Sequence, residues 1–173
     1  MDDNQYKKLL ILKLSHLTEW LNETEMLIPE EMRRDFDLAE TCELLGDGKY
    51  VLRDYYKNGR LYCKIEYQNG LKHGMALGWW ANGEPYWKRE YQNGLVHGPS
   101  FGWYLDGRLH WKEEYKNDYK CGPSAGWYKN GQPMWKMEYR NGQPHGFSLG
   151  WNENGQPKWK AEYKNGKLIR KDL

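Results

Sequence analysis

Apolar and polar positions alternate in short runs along most of this chain, and from Asp54 to Arg170 the pattern recurs every 24 residues without insertion or deletion. Five copies begin at Asp54, Gly78, Gly102, Gly126 and Gly150. A fixed period of this size marks a repeat array, in which each unit buries its apolar positions against its neighbours. The runs are too short for helices and rich in Trp, Tyr and Phe, which suit a pleated surface. Between them stand Asn58-Gly59, Asn82-Gly83, Asp106-Gly107, Asn130-Gly131 and Asn154-Gly155, and a second set, Asn69-Gly70, Asn93-Gly94, Asn117-Asp118, Asn141-Gly142 and Asn165-Gly166. Asn and Gly tolerate the positive φ of tight hairpin turns, so ten such turns predict a meander of antiparallel hairpins. With two strands per unit about 4.8 Å apart, the five units predict an elongated, single-layer sheet roughly 48 Å long.

Period-two alternation in Tyr86 to Tyr91 places Trp87, Arg89 and Tyr91 on one face and Tyr86, Lys88 and Glu90 on the other. Trp87, Trp111, Trp135 and Trp159 form one column, headed by Cys63, and Tyr67, Tyr91, Tyr115, Tyr139 and Tyr163 form a second. The other strand of each unit carries Trp79, Trp103, Trp127 and Trp151, headed by Tyr55. Together these residues predict a structural aromatic ladder. Gly78, Gly102, Gly126 and Gly150 beside it leave room for a neighbouring ring. Two columns vary from copy to copy: Tyr62, Tyr86, His110, Met134 and Lys158, and Ile65, Arg89, Glu113, Met137 and Ala161. Positions free of the stacking constraint can be tuned singly, so Tyr62, Tyr86, His110, Met134, Lys158, Arg89, Glu113 and Met137 are the candidate partner-binding residues.

Ahead of the repeats, residues 2 to 22 place Tyr6, Leu10, Leu14, Leu17 and Leu21 at helical spacing. A second helix is predicted to start at Pro29 and run through Met32, Phe36 and Ala39 toward Leu45, with Asp47-Gly48 turning the chain into the first strand. The division is thus a small α-helical cap over residues 1–49 and five β-hairpin units over residues 50–173. The open edge of a sheet array must be covered, and the helices are expected to cover it.

Aromatics make up 16% of the chain, and their periodicity offsets a low mean hydropathy. Residues 1 to 50 hold 6 Lys/Arg against 12 Asp/Glu, whereas residues 51 to 173 hold 20 against 12. An acidic head precedes a basic array, which suits head-to-array attraction or an anionic partner. Cys42, Cys63 and Cys121 leave one thiol unpaired and match no metal-type spacing, so a reducing, cytoplasmic compartment is expected, without a disulfide framework. The apolar segment Leu9 to Leu14 is short and carries Lys13, so no membrane span and no cleaved leader are expected.

His73, His97 and His145 share a column with Cys121. Equivalent residues in adjacent units lie about 9.6 Å apart, whereas zinc needs its ligands within roughly 2.0 to 2.3 Å of one point, so no metal site is expected there. Ser100, Ser124 and Ser148 are periodic strand residues, and Lys64, Lys88, Lys112, Lys136 and Lys160 each precede by two a Glu at 66, 90, 114, 138 or 162. No nucleophile beside a base and no phosphate-cradling glycine loop stands out. The expectation is a protein that is not an enzyme and needs no cofactor.

The unit, as in Trp127-Tyr128-Lys129-Asn130-Gly131, then Trp135, Glu138-Tyr139-Arg140-Asn141-Gly142 and a closing His145-Gly146, resembles the MORN-variant repeats over residues 54 to 170, about two thirds of the chain. The chain departs from that pattern at Cys63, Asn117-Asp118, Cys121 and Ile169-Arg170. The resemblance implies an elongated sheet of hairpins used for association, with an antitoxin role in one bacterial family. Family members are also common in large DNA viruses, which would place a viral member in the virion or host cytoplasm. The reading is a non-catalytic scaffold for a protein partner. Its alternatives are an antitoxin that blocks a toxin and a rod that binds single-stranded nucleic acid through aromatic and basic side chains.

Overall fold

A computed structural model describes residues 42–172. The expected helices of residues 2 to 22 and from Pro29 lie almost wholly outside the described residues. From Cys42 onward every element is a strand: β1 (Cys42–Gly46), β2 (Lys49–Tyr55), β3 (Leu61–Gln68), β4 (Leu71–Trp79), β5 (Pro85–Gln92), β6 (Leu95–Val96), β7 (Gly98–Trp103), β8 (Leu109–Lys116), β9 (Tyr119–Lys120), β10 (Gly122–Trp127), β11 (Pro133–Arg140), β12 (Gln143–Pro144), β13 (Gly146–Trp151), β14 (Pro157–Lys164) and β15 (Lys167–Asp172). The strands form one antiparallel sheet in the order β1-β2-β3-β4-β5-β7-β8-β10-β11-β13-β14-β15, with β6, β9 and β12 paired to β5, β8 and β11. Each neighbour in space is a neighbour in sequence, as the hairpin pattern predicts.

One boundary differs from expectation. Cys42–Gly46 is β1, paired Cys42↔Leu52 and Leu44↔Tyr50, where the second helix was expected to run on toward Leu45. The alternation of Cys42 and Leu44 suits a strand, and Asp47-Gly48, with φ of 51° and 72°, folds it straight back onto β2. The sheet therefore begins before residue 50.

The two sets of turns have different chemistry. Asn69, Asn93, Asn117, Asn141 and Asn165 have φ between 50° and 52°, and the residue after each is also left-handed, the signature of two-residue type I′ turns. Asp118 replaces Gly at this second position with φ 65°, and its Oδ1 accepts a hydrogen bond from the Val96 N–H at 2.7 Å. At the other end, Gly59 N–H donates to the Tyr56 carbonyl at 2.8 Å and Tyr56 N–H to the Arg60 carbonyl at 2.9 Å, a type I turn closed by a glycine bulge. Here the Asn side chain does the work, since Asn58 Oδ1 accepts from the Arg60 N–H at 3.0 Å.

Register explains the glycine and tryptophan columns. Across the sheet run the pairs Gly78↔Trp87, Trp87↔Gly102, Gly102↔Trp111, Trp111↔Gly126, Gly126↔Trp135, Trp135↔Gly150 and Gly150↔Trp159. Each indole lies over the glycine of its hairpin partner, and a Cβ placed on Gly126 would come within 2.5 Å of Trp135 Nε1. A parallel row pairs Ala76↔Arg89, Ser100↔Glu113, Ser124↔Met137 and Ser148↔Ala161. A third pairs Gly74↔Tyr91, Gly98↔Tyr115, Gly122↔Tyr139 and Gly146↔Tyr163. On this face, then, strands bearing Trp and Tyr alternate with strands bearing Gly and Ser or Ala, and the large side chains fold over the small ones.

That covering buries Ala76, Ser100 and Ser148 completely, at 0% exposure. The Ser100 and Ser148 hydroxyls have no hydrogen-bond partner among the described residues. The best-buried part of the sheet is its first third, where Cys42, Tyr50, Leu52, Ile65, Tyr67, Ala76, Trp87 and Tyr91 form one cluster and Tyr50 stacks on Tyr67 at 4.9 Å.

Two substitutions test this packing in opposite directions. Gly126→Ala should lower stability by roughly 1–3 kcal/mol in chemical denaturation, because the added methyl displaces the Trp135 ring. Ser148→Ala should raise it by about 1 kcal/mol by removing a buried hydroxyl without a partner, and a loss instead would reveal a bond to that hydroxyl.

Candidate binding face

The side of the sheet with the Trp column carries the candidate residues, and a second set of bulges decides how. Gly78 pairs with Trp87 but Trp79 pairs with Pro85, so Tyr86 is an extra residue on β5; the same shift follows Gly102, Gly126 and Gly150. A bulge resets the alternation of the strand. Met134 and Lys158 therefore share a groove with Trp135 and Trp159 rather than pointing away from them. Tyr62, Tyr86, His110, Met134 and Lys158 are this bulged column, a correction to the face that simple alternation gives them.

The aromatic ladder is also divided. Phe101 pairs with Lys88 and Lys112, Lys112 Nζ lies 5.7 Å from the Phe101 ring, and Phe101 stacks on Trp103 at 5.8 Å. By period two Trp103 thus shares the face of the Lys column, and so, by register, do Trp79, Trp127 and Trp151 at their Cα positions, whereas Trp87, Trp111, Trp135 and Trp159 face the other way. Lys64 and Glu66, on the charged face, lie 3.6 Å apart, a half-buried but solvent-accessible pair worth about 0 to 1 kcal/mol.

Along the Trp face burial falls from one end to the other. Tyr67, Trp87 and Tyr91 are buried, while Trp111, Tyr115, Trp135, Tyr139, Trp159 and Tyr163 are half-buried. Several candidate contact residues are already engaged by the chain itself. Tyr62 packs edge-on against Tyr56 at 5.3 Å, Tyr86 against Trp80 at 3.9 Å, and His110 stacks on Tyr104 at 4.2 Å. The Arg89 guanidinium lies 5.9 Å from the Trp87 ring centre. Glu113 accepts from Tyr115 Oη at 2.7 Å and pairs with Lys120 at 2.5 Å, and Lys120 Nζ sits 5.4 Å from the Tyr139 ring. Burial first, then this hydrogen bond, push the Tyr115 phenol well above its ordinary range.

What remains open is a groove of about 460 Å³ over β8 to β14, lined by Glu113, Lys120, Tyr128, Met134, Trp135, Met137, Tyr139, Trp151, Lys158 and Trp159. It gathers Glu113, Met134, Met137 and Lys158 from the candidate set and leaves Tyr62, Tyr86, His110 and Arg89 outside. Tyr128 and Lys120 were not foreseen. The signal for Tyr128 was present in the 24-residue period: Tyr56, Tyr104 and Tyr128 each donate a hydroxyl hydrogen bond, to the carbonyls of Trp79 at 2.8 Å, Trp127 at 2.7 Å and Trp151 at 2.8 Å.

The histidine column is a set of hydrogen-bonding groups. His73 Nδ1 accepts from the Asn93 N–H at 3.4 Å and His145 Nδ1 from the Asn165 N–H at 3.4 Å, while His97 Nδ1 lies 3.1 Å from Asn117 Oδ1, which calls for the Nδ1–H tautomer. Each reaches the type I′ turn of the next hairpin. Among the described residues no three His, Cys, Asp or Glu side chains gather as a metal site would need, and no helix is long and apolar enough to cross a membrane.

No protein-family model matches the chain, and no curated protein matches it. Among solved structures it is similar to a chain in the crystal structure of accessory secretory protein 1, 2 and 3 from Streptococcus pneumoniae, with a TM-score of 0.34 and 11% identity over 78% of this chain and 24% of that one. The chain spans about a quarter of that protein's length, and a likeness this low carries no argument about function.

Burial lowers the His110 pKa below the ordinary imidazole value of about 6.5. The folded state then binds fewer protons than the unfolded chain, so His110 costs stability as the pH falls through 6.5, and the cost levels off below its folded value. His110→Tyr, which installs the ring found at Tyr62 and Tyr86, should reduce the loss of thermal midpoint between pH 7.5 and 5 relative to the parent; an unchanged profile would assign that loss to other groups.

Proposed function

We propose that this protein is a non-catalytic scaffold that holds a protein partner on its Trp face. The reading takes the chain as an elongated, single-layer array of five 24-residue hairpin units, similar in pattern to MORN-variant repeats, behind a small helical cap. The observation that carries it is the groove, where Met134 and Met137 stand among Trp135, Tyr139 and Trp159. Aromatic and methionine side chains are enriched at protein interfaces and supply large contact area at low entropic cost. Cys42, Cys63 and Cys121 form no disulfide with one another, which fits a reducing compartment such as the cytoplasm. An antitoxin is the specialised form of this reading that the family resemblance suggests.

A nucleic-acid rod would need rings and cations on one side. The Lys face offers both, with Lys112 Nζ 5.7 Å from the Phe101 ring and Trp103 stacked beside it, so this reading stands as the alternative; in the groove itself Lys120 is held by Glu113.

Immobilised full-length chain, incubated with extract of its source cells, should retain a defined protein, and Met137→Glu with an unchanged circular dichroism spectrum and melting midpoint should release at least nine tenths of it. Oligo(dT) and oligo(U) should not bind at low salt. Salt-sensitive oligonucleotide binding, whose logarithm falls by about 0.7 per logarithm of salt for each phosphate contact, would replace the scaffold with the nucleic-acid reading.

A further inference from the structure

The groove opens where a periodic pair of rings ends. In the first three units two rings meet at the margin of the Trp face: Tyr56 with Tyr62 at 5.3 Å, Trp80 with Tyr86 at 3.9 Å and Tyr104 with His110 at 4.2 Å. The same two positions are Tyr128 and Met134 in the fourth unit and Asn152 and Lys158 in the fifth. A second column thins over the same span. It runs Ile65, Arg89, Glu113, Met137 and Ala161, so that the Arg89 guanidinium lies over Trp87 while Ala161 offers a single methyl next to Trp159. Trp87 is 8% exposed, whereas Trp135 and Trp159 are half-buried and line the groove. A gap between indoles, at a place where earlier units seat a ring, suits one more ring.

Charge narrows what can bring that ring. Glu113, the one carboxylate lining the groove, is held by Lys120 and by the Tyr115 hydroxyl, so it leaves little negative charge to meet a ligand. Two other cations stand open. Lys158 lines the groove and is exposed, and Lys171 pairs with Ala161, two residues past Trp159 on β14, so Lys171 shares the Trp face and is exposed too. Resting on the scaffold reading, we infer that the protein partner enters this groove with an aromatic side chain flanked by carboxylates, its ring between Trp135 and Trp159 beside Met134 and its carboxylates on Lys158 and Lys171. The partner's ring then takes the place that Tyr62, Tyr86 and His110 hold in the earlier units.

The test uses the purified full-length chain and fluorescein-labelled polypeptides of matched length: a random copolymer of glutamate and tyrosine, polyglutamate, and a copolymer of lysine and tyrosine. In fluorescence anisotropy the first should bind about ten-fold more tightly than either of the others, because ring and carboxylate are both needed. Lys158→Glu with Lys171→Glu should weaken it about ten-fold, whereas Lys88→Glu with Lys112→Glu, the same change of charge on the opposite face, should leave it within about two-fold. Met134→Tyr, which gives Tyr128 a ring to pair with, should weaken binding about five-fold at an unchanged or higher melting midpoint. Equal binding of polyglutamate, equal losses from the two pairs of lysines, or no binding of the glutamate–tyrosine copolymer would overturn the inference. The scaffold reading fails separately, when the cell extract yields no protein that Met137→Glu releases.

Discussion

An indole and a bare glycine meet across the hairpins β4–β5, β7–β8, β10–β11 and β13–β14, and the geometry of the sheet there follows from that inequality of size. Among the described residues no second layer covers the apolar side of the sheet, so the cover there comes from the same strands. Here every strand carrying Trp and Tyr lies beside one carrying Gly and Ser or Ala, and the rings bend over the small positions until Ala76, Ser100 and Ser148 lose all exposure. Close packing at these contacts leaves no room for even one methylene at Gly126, where an added Cβ would sit 2.5 Å from the indole nitrogen.

The ends of the hairpins are tied separately from their centres. At one margin, hydroxyls of Tyr56, Tyr104 and Tyr128 reach carbonyls 23 residues ahead. At the other, the backbone N–H groups of Gly94, Asp118, Gly142 and Gly166 donate to the carbonyls of Lys72, Val96, Lys120 and Pro144, and histidines add their ring nitrogens to the same turns. Backbone groups that a turn would leave to water are thus used to hold adjacent hairpins in line. Cys121 interrupts the histidine series without interrupting the backbone series.

Much of this was legible in the residues. Asn-Gly pairs marked the turns, the 24-residue recurrence marked the columns, and glycine beside tryptophan announced a close approach. What alternation could not show was the extra residue at Tyr86 and its equivalents, because a bulge leaves no signature in a run such as Pro85 to Tyr91; that is why Met134 and Lys158 join Trp135 and Trp159. The ladder divides between two faces for another reason, the cross-strand register that sets each glycine opposite a Trp and so turns the Trp beside that glycine away. The β1 strand was hidden for a different reason. Glu43, Leu44 and Leu45 favour a helix locally, and pairing to Val51 and Tyr50 overrides that preference.

Because every strand bonds only to those that precede and follow it along the chain, ordering the molecule requires few long loop closures. Assembly can begin in the cluster of Tyr50, Ile65, Tyr67 and Trp87 and advance hairpin by hairpin, each finished edge serving as a template for the next. The same linear logic makes the chain fail piecemeal, with β14 and β15 free to fray while the earlier hairpins hold.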